Sequence, residues 1–183
     1  MQNLKIDILG CSEVRWPNSG RTVIDNYVFY YSGDNTTQNR NGVAIVINKD
    51  TERSVKGFIP ITERISLLKL NATPCNINII TAYAPTSEST EEEIDKFYTE
   101  LDKTLKETKK EELNVILGDF NAKVGKGIDG EVVGEFGLGT RNERGEKLVQ
   151  FCKDNELIIK NTWYQLPARK IYHEKPIEMR VRT

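Results

Sequence analysis

A layered α/β domain, with two packed sheets flanked by helices, is the fold class that this sequence predicts. Three observations carry it. Short runs rich in β-branched and aromatic residues recur along the chain, the composition of strands that fit a pleated, half-buried surface. Two segments switch to the 3.6-residue period of amphipathic helices. Those segments lie between strands, not in one block, which is the order of layered α/β proteins.

The elements follow in turn. "KIDILG" (5–10) reads as a short buried strand. "YVFYYS" (27–32) and "GVAIVIN" (42–48) read as a hairpin, with the turn-rich "GDNTTQNRN" as its long loop. "RISLLKLN" (64–71) and "NINIITAYAP" (76–85) form a second pair across Pro74. The alternation in "NINII" predicts a half-exposed face at the start of that strand. Ile94, Phe97, Tyr98, Leu101 and Leu105 recur at helical spacing, with Thr90 and Glu93 as a capping box. Glu91 to Glu93 open this helix and Lys109 and Lys110 close it, matching the macrodipole. "LNVILG" (113–118) is a strand, followed by a Gly-rich loop over 121–140. A second helix spans 142–155, with Asn142 as N-cap and Leu148, Phe151 and Cys152 facing the core. "LIIKNT" (157–162) is a further strand.

Length and composition bound the rest. A chain of 183 residues, 38% apolar and 29% charged, suits one soluble domain with a real core. No run reaches the roughly 18 apolar residues of a spanning helix, so no membrane partner is expected. The start is not a signal peptide, since its short apolar stretch carries Asp7. Cys11, Cys75 and Cys152 show neither metal nor disulfide spacing, which points to a reducing, intracellular setting and to small buried side chains. Net charge is −1, so the chain as a whole is no polycation, although a local basic patch is compatible with that balance.

The chemistry gathers at strand ends. "NVILGDFNAKVG" (114–125) ends an apolar strand in Asp119 and Asn121. Functional groups in layered α/β proteins collect just past the carboxyl ends of strands. Gly118 allows close backbone approach, and Phe120 can pin the turn inward, leaving Asp119 and Asn121 on one side. An ionised Asp accepts hydrogen bonds or binds cations, whereas Asn also donates, so the pair could orient a water and hold a phosphate oxygen. Equally, both could do no more than satisfy a turn. Glu13 follows the first strand and Tyr83 ends another. If these ends are neighbours they make an oxygen-lined site suited to Mg²⁺. Otherwise Glu13 is a surface residue and Tyr83 a core tyrosine. "GKGIDG" (125–130) matches a dinucleotide-binding pattern but lacks the strand before it and the helix after it, so its glycines serve an irregular loop with positive φ.

The ordered series "ILGCSEVRW", "RNGVAIVIN", "ITAYAPTSE", "VILGDFNAKVG" and "GLGTRNERGEKLVQFC" resembles the endonuclease/exonuclease/phosphatase family with its DNase I-like fold. More narrowly it is similar to the LINE-type retrotransposon endonuclease and craniofacial development protein 2-like branch. The resemblance implies a four-layer α/β sandwich over residues 1–172 and Mg²⁺- or Mn²⁺-dependent cleavage of phosphodiester bonds in DNA. It implies that Glu13 binds the metal, Tyr83 approaches the scissile phosphate, Asp119 orients or deprotonates the attacking water, and Asn121 steadies the phosphate. Arg141 and Asn142, within the "RNERG" that carries the retroelement likeness, are expected to bind substrate. Retroelement members act on chromosomal DNA, which implies the nucleus.

The likeness also departs from its pattern. The family's first strand with its asparagine, and its C-terminal aspartate and Ser-Asp-His segment, have no match here. The sequence therefore reads as an incomplete copy of the fold with weak or no turnover, since members of a catalytic set act together. The alternative is a non-catalytic remnant that binds nucleic acid or a protein through the old groove; a phosphorylated lipid or small-molecule substrate ranks below both. His173, the single histidine, and Arg169, Lys170, Lys175, Arg180 and Arg182 fall in a divergent tail, 173–183 with the residues just before it, expected to be frayed and solvated.

Overall fold

Apolar alternation along the strands produces two faced sheets. The computed structural model describes residues 1, 6–34 and 41–165, and the backbone alone of 177–181. The strands in chain order are β1 (Ile8–Ser12), β2 (Ser19–Ile24), β3 (Tyr27–Ser32), β4 (Val43–Asn48), β5 (Val55–Thr62), β6 (Ile65–Leu70), β7 (Ile77–Tyr83), β8 (Leu113–Asp119), β9 (Leu157–Ile159) and β10 (Ile177–Val181). A short helical turn α1 (Lys49–Glu52) follows β4, while α2 (Glu91–Lys106) and α3 (Glu143–Asp154) are the longer helices. Among the described residues one sheet has the order β1-β4-β3-β2 and the other β5-β6-β7-β8-β10-β9.

Val28, Tyr30, Ile45 and Ile47 of the first sheet pack on Leu68, Leu70, Ile79 and Val115 of the second. The other face of the second sheet carries Ile65, Leu67, Ile80 and Ile116, covered by Phe97 and Leu101 of α2 and Leu148 and Cys152 of α3. β4 is buried on both sides, which explains its unbroken apolar run. β7 and β8 are parallel, so they need a crossover connection, and α2 supplies it. Its capping box forms as expected: Glu93 N–H donates to Thr90 Oγ1 at 3.3 Å, and Thr90 N–H to Glu93 Oε2 at 2.9 Å. Asn142 caps α3 by accepting from Gly145 N–H at 2.8 Å.

Several expectations are revised. β2 and β5 were not legible as strands: β2 is a mostly exposed edge, and β5 contains Gly57 and Pro60 and pairs through register shifts. β9 is shorter than 157–162, because Lys160–Thr162 tighten into a 3₁₀ turn. Asn78 does not face solvent; it is 1% exposed. Only Cys152 is fully buried, while Cys11 and Cys75 are half-buried. In place of a frayed end, the backbone of Ile177–Val181 inserts antiparallel between β8 and β9, where it pairs strand edges that would otherwise be left open. His173, Arg169, Lys170, Lys175 and Arg182 lie outside the described residues, and for Arg180 only the backbone is described. Gly125 (φ 79°) and Gly127 (φ 103°) adopt the left-handed conformations expected of an irregular loop.

Candidate active site

The parallel register of β7 and β8 runs from Ile77 opposite Leu113 to Tyr83 opposite Asp119, so the two strands end together. Paired residues leave a sheet on the same side. Gly118 is required here: a Cβ would collide with the Ala82 carbonyl of β7. Just past the strands, Ala84 N–H donates to the Asp119 carbonyl at 2.8 Å. Phe120 turns inward, 2% exposed and edge-on to Phe97 with centroids 6.2 Å apart. Asn121 then takes φ 47°. Its N–H donates to Asp119 Oδ1 at 2.9 Å and its Nδ2 to the Ala84 carbonyl at 2.8 Å. The buried phenyl ring thus leaves the carboxylate and carboxamide together at the surface of the strand ends.

Glu13 arrives from the other sheet. β1 ends with Ser12 opposite Val43, and Glu13 turns off at φ 55°. Val14 N–H donates to the Gly42 carbonyl and Arg15 N–H to the Asn41 carbonyl, both at 3.1 Å. Positive φ at a non-glycine residue is uncommon and costs about 1–3 kcal/mol. Here it occurs at Glu13, Arg15 and Asn121. The turn aims Glu13 Oε1 at the Tyr83 hydroxyl, which donates to it at 3.0 Å. Arg15 Nη2 donates to Glu13 Oε2 at 3.2 Å.

Burial pushes the Tyr83 hydroxyl up from its ordinary value, the hydrogen bond to Glu13 and the Glu13 and Asp119 charges push the same way, and Arg64 opposes them. Tyr83 is therefore a neutral donor across the ordinary pH range. Arg64 also places its guanidinium carbon 5.1 Å from the Tyr83 ring centroid and donates from Nη1 to the Tyr83 carbonyl at 3.3 Å. Sequence reasoning missed Arg64, because a cation in a turn between two strands carries no signal of its own; the pairing of Ile65 with Ala82 is what brings it beside Tyr83.

Glu13, Asp119 and the Tyr83 hydroxyl offer oxygen donors, the chemistry of hard cations. Among the described residues no group of three His, Cys, Asp or Glu side chains could cage an ion. The donor set suits Mg²⁺ or Mn²⁺ held by one or two carboxylates with several waters retained.

Arg141 and Asn142 are committed to the scaffold. Arg141 donates to the Val124 carbonyl at 2.8 Å and to Asp129 Oδ2 at 2.6 Å, and is 19% exposed. Asn142 Oδ1 accepts from Lys123 N–H at 3.0 Å as well as from Gly145. These contacts tie the loop beyond Asn121 to α3 and give both residues a structural task beside the substrate-binding role expected of them. A cavity of about 430 Å³ lined by Asp129, Val132, Lys153 and Leu157 includes none of the strand-end residues.

No family model matches the chain. It is 38% identical to craniofacial development protein 2 of Bos taurus over 172 residues, which is 94% of this chain and 29% of that protein. The chain therefore spans less than a third of the length of that relative. The endonuclease domain of TRAS1, a telomere-specific non-LTR retrotransposon, superposes with a TM-score of 0.63 at 14% identity, covering 98% of this chain and 75% of that one. An endonuclease/exonuclease/phosphatase family protein from Leptotrichia buccalis gives a TM-score of 0.59 at 11% identity, covering 98% and 77%. At these identities the structural likeness speaks for the fold.

Proposed function

The chain is a homologue of craniofacial development protein 2 with the DNase I-like fold of endonuclease/exonuclease/phosphatase proteins, and from that premise we propose that its strand ends form a divalent-metal-dependent DNA endonuclease site of the LINE retrotransposon type. The observation that carries this reading is the hydrogen bond from Tyr83 to Glu13 beside the register pair Tyr83–Asp119, with Asn121 bound to Asp119. The same cluster, brought from both sheets, is hard to account for as a set of unrelated turns.

In this reading Glu13 holds Mg²⁺ or Mn²⁺, which when bound supplies Lewis-acid stabilisation of phosphate oxygens. Asp119 keeps one oxygen on the Asn121 N–H and turns the other to a water, orienting it and accepting its proton. Asn121 fixes Asp119 through that N–H and fixes itself through Ala84, so its first task is to hold the turn; its remaining amide valences face the phosphate. Tyr83 directs its hydroxyl along the Glu13 side of the scissile group. DNA is the partner and the nucleus the place of action.

The test is nicking of supercoiled plasmid by the purified chain in Mg²⁺, in Mn²⁺ and in chelator, beside Asp119→Ala. The reading expects weak, metal-dependent nicks, since the family's C-terminal Asp and His have no match in this sequence, and expects Asp119→Ala to abolish them. Nicking that survives the substitution would sink it. Salt-sensitive retention of DNA with no nicks under any metal would replace it with the non-catalytic binding remnant.

A further inference from the structure

Among the described residues, the hydroxyl end of Tyr83 bonds to a carboxylate with other demands on it. Glu13 is shared with Arg15, and the side chains of the two are 47% and 67% exposed. A Glu13 that turns toward a cation gives up part of its hold on the tyrosine. Rotation about a tyrosine's broad second torsion leaves the hydroxyl oxygen in place but turns the ring plane in which the O–H lies, so a second contact that holds the ring plane would keep this donor aimed.

Arg64 is built to do so. Its peptide is fixed first: its N–H donates to Thr62 Oγ1 at 3.1 Å, and its carbonyl accepts from Tyr83 N–H at 2.8 Å. Its side chain then folds back over the same residue, donating to the Tyr83 carbonyl while the guanidinium lies over the ring. The side chain is 22% exposed, and its contact with Glu63 is loose at 4.0 Å, so that acid does not set its direction. A planar guanidinium can lie over a ring face and donate in its own plane at once, whereas an ammonium cannot. None of these contacts involves Glu13.

We propose that Arg64 is a positioning residue that fixes the orientation of the Tyr83 ring independently of Glu13, a role in catalysis that rests on the nuclease reading above. Two measurements on the full chain separate them. Ring-labelled tyrosine NMR, with Tyr83 identified by its loss in Tyr83→Phe, reads ring order without any substrate. Arg64→Met is expected to shift and broaden the Tyr83 ring signals while the other tyrosine signals stay in place. Metal-dependent nicking is expected to lose roughly tenfold in kcat with little change in KM, the mark of a misplaced group and not of lost binding. Arg64→Lys is expected to recover part of both, and Arg64→Met is expected to cost nothing further in a Tyr83→Phe background.

Unchanged Tyr83 signals in Arg64→Met overturn the proposal whatever the nicking shows. A further loss of kcat in the Tyr83→Phe background overturns it too, because Arg64 would then act on its own. If all tyrosine signals collapse in Arg64→Met, that variant has misfolded and Arg64→Lys decides: native signals elsewhere with a displaced Tyr83 ring support the role, an undisturbed ring overturns it. A displaced ring in a protein whose wild type never nicks overturns the catalytic use and the nuclease reading together, leaving a contact of the fold.

Discussion

At the amino-terminal end of the β7–β8 pair, Asn76, Asn78, Glu112 and Asn114 bond to one another; at the carboxyl end, Tyr83, Asp119 and Asn121 meet Glu13 from the opposite sheet. The first cluster is largely self-contained. Asn78 Nδ2 donates to Glu112 at 2.9 Å and to Asn114 at 2.9 Å, Asn76 donates to Glu112 at 3.1 Å, and Asn114 donates to Thr108 at 2.8 Å. Within this cluster Asn78 Oδ1 is left buried without a partner among the described residues. None of its members takes positive φ, and its polar groups serve the fold. The second cluster crosses between sheets, holds Glu13 and Asn121 at positive φ, and leaves carboxylate oxygens facing outward. Similar residue types on the same two strands thus divide into a polar staple and a candidate site. What separates them is where backbone strain is spent and whether the cluster joins the two sheets.

The sharpest way to break that division is a crossed pair of substitutions. Asp119→Asn keeps the acceptor for Asn121 N–H, so it should lower nicking by about 100-fold or more. The same variant should keep its thermal midpoint within about 2–4 °C, the shift that about 1 kcal/mol gives in a chain of this size. Asn114→Ala should do the reverse, losing about 1–3 kcal/mol through unpaired buried groups while nicking per folded molecule is unchanged. Assays and melts that showed both variants losing stability alone would erase the distinction between the two ends.

Gly118→Ala should come next in size. It lies where the clusters share strands, and its Cβ would meet the Ala82 carbonyl. Overpacking of this kind costs about 1–3 kcal/mol, read as a lower denaturant midpoint, with nicking reduced as Tyr83 and Asp119 move apart. A wild-type midpoint would mean that close approach of the strands is not what builds the site.

The smallest effect is in pH. Hydrogen bonds from Asn78, then Asn76, hold the Glu112 carboxyl down at about 2, against an ordinary value of about 4.5. A carboxyl depressed by folding contributes stability that is present above its unfolded pKa and lost as pH falls through the folded one. The wild type should therefore lose more stability between pH 4.5 and pH 2 than Glu112→Gln does, by under about 1 kcal/mol given the solvent at that position. Parallel acid melts of the two proteins check this, and coincident curves would show that the staple carries no charge-dependent component.

Much of this could be read from the letters. The helices declared themselves through period and caps, because Thr90, Glu93 and Asn142 act within one turn. Glu13, Tyr83, Asp119 and Asn121 were nameable because strand ends and a glycine step mark them. Asn78 was misread because alternation reports which residues share a face, and a polar residue on a buried face looks like one on a wet face until its partners are known. The contacts of Arg141 were hidden for the same reason, since its partners Val124 and Asp129 come from an irregular loop.

The sequence by itself determined the local items: most of the strands, the two longer helices, the inward phenyl of Phe120, and the polar residues offered at each strand end. Only the tertiary structure decided which of those residues meet. Local rules act over one helical turn or one strand pleat, whereas Tyr83 reaches Glu13 from one sheet to the other and Arg64 reaches Tyr83 through the register of β6 on β7. Sheet packing and strand register are set by the summed burial of many side chains, and that sum is not written at any one position.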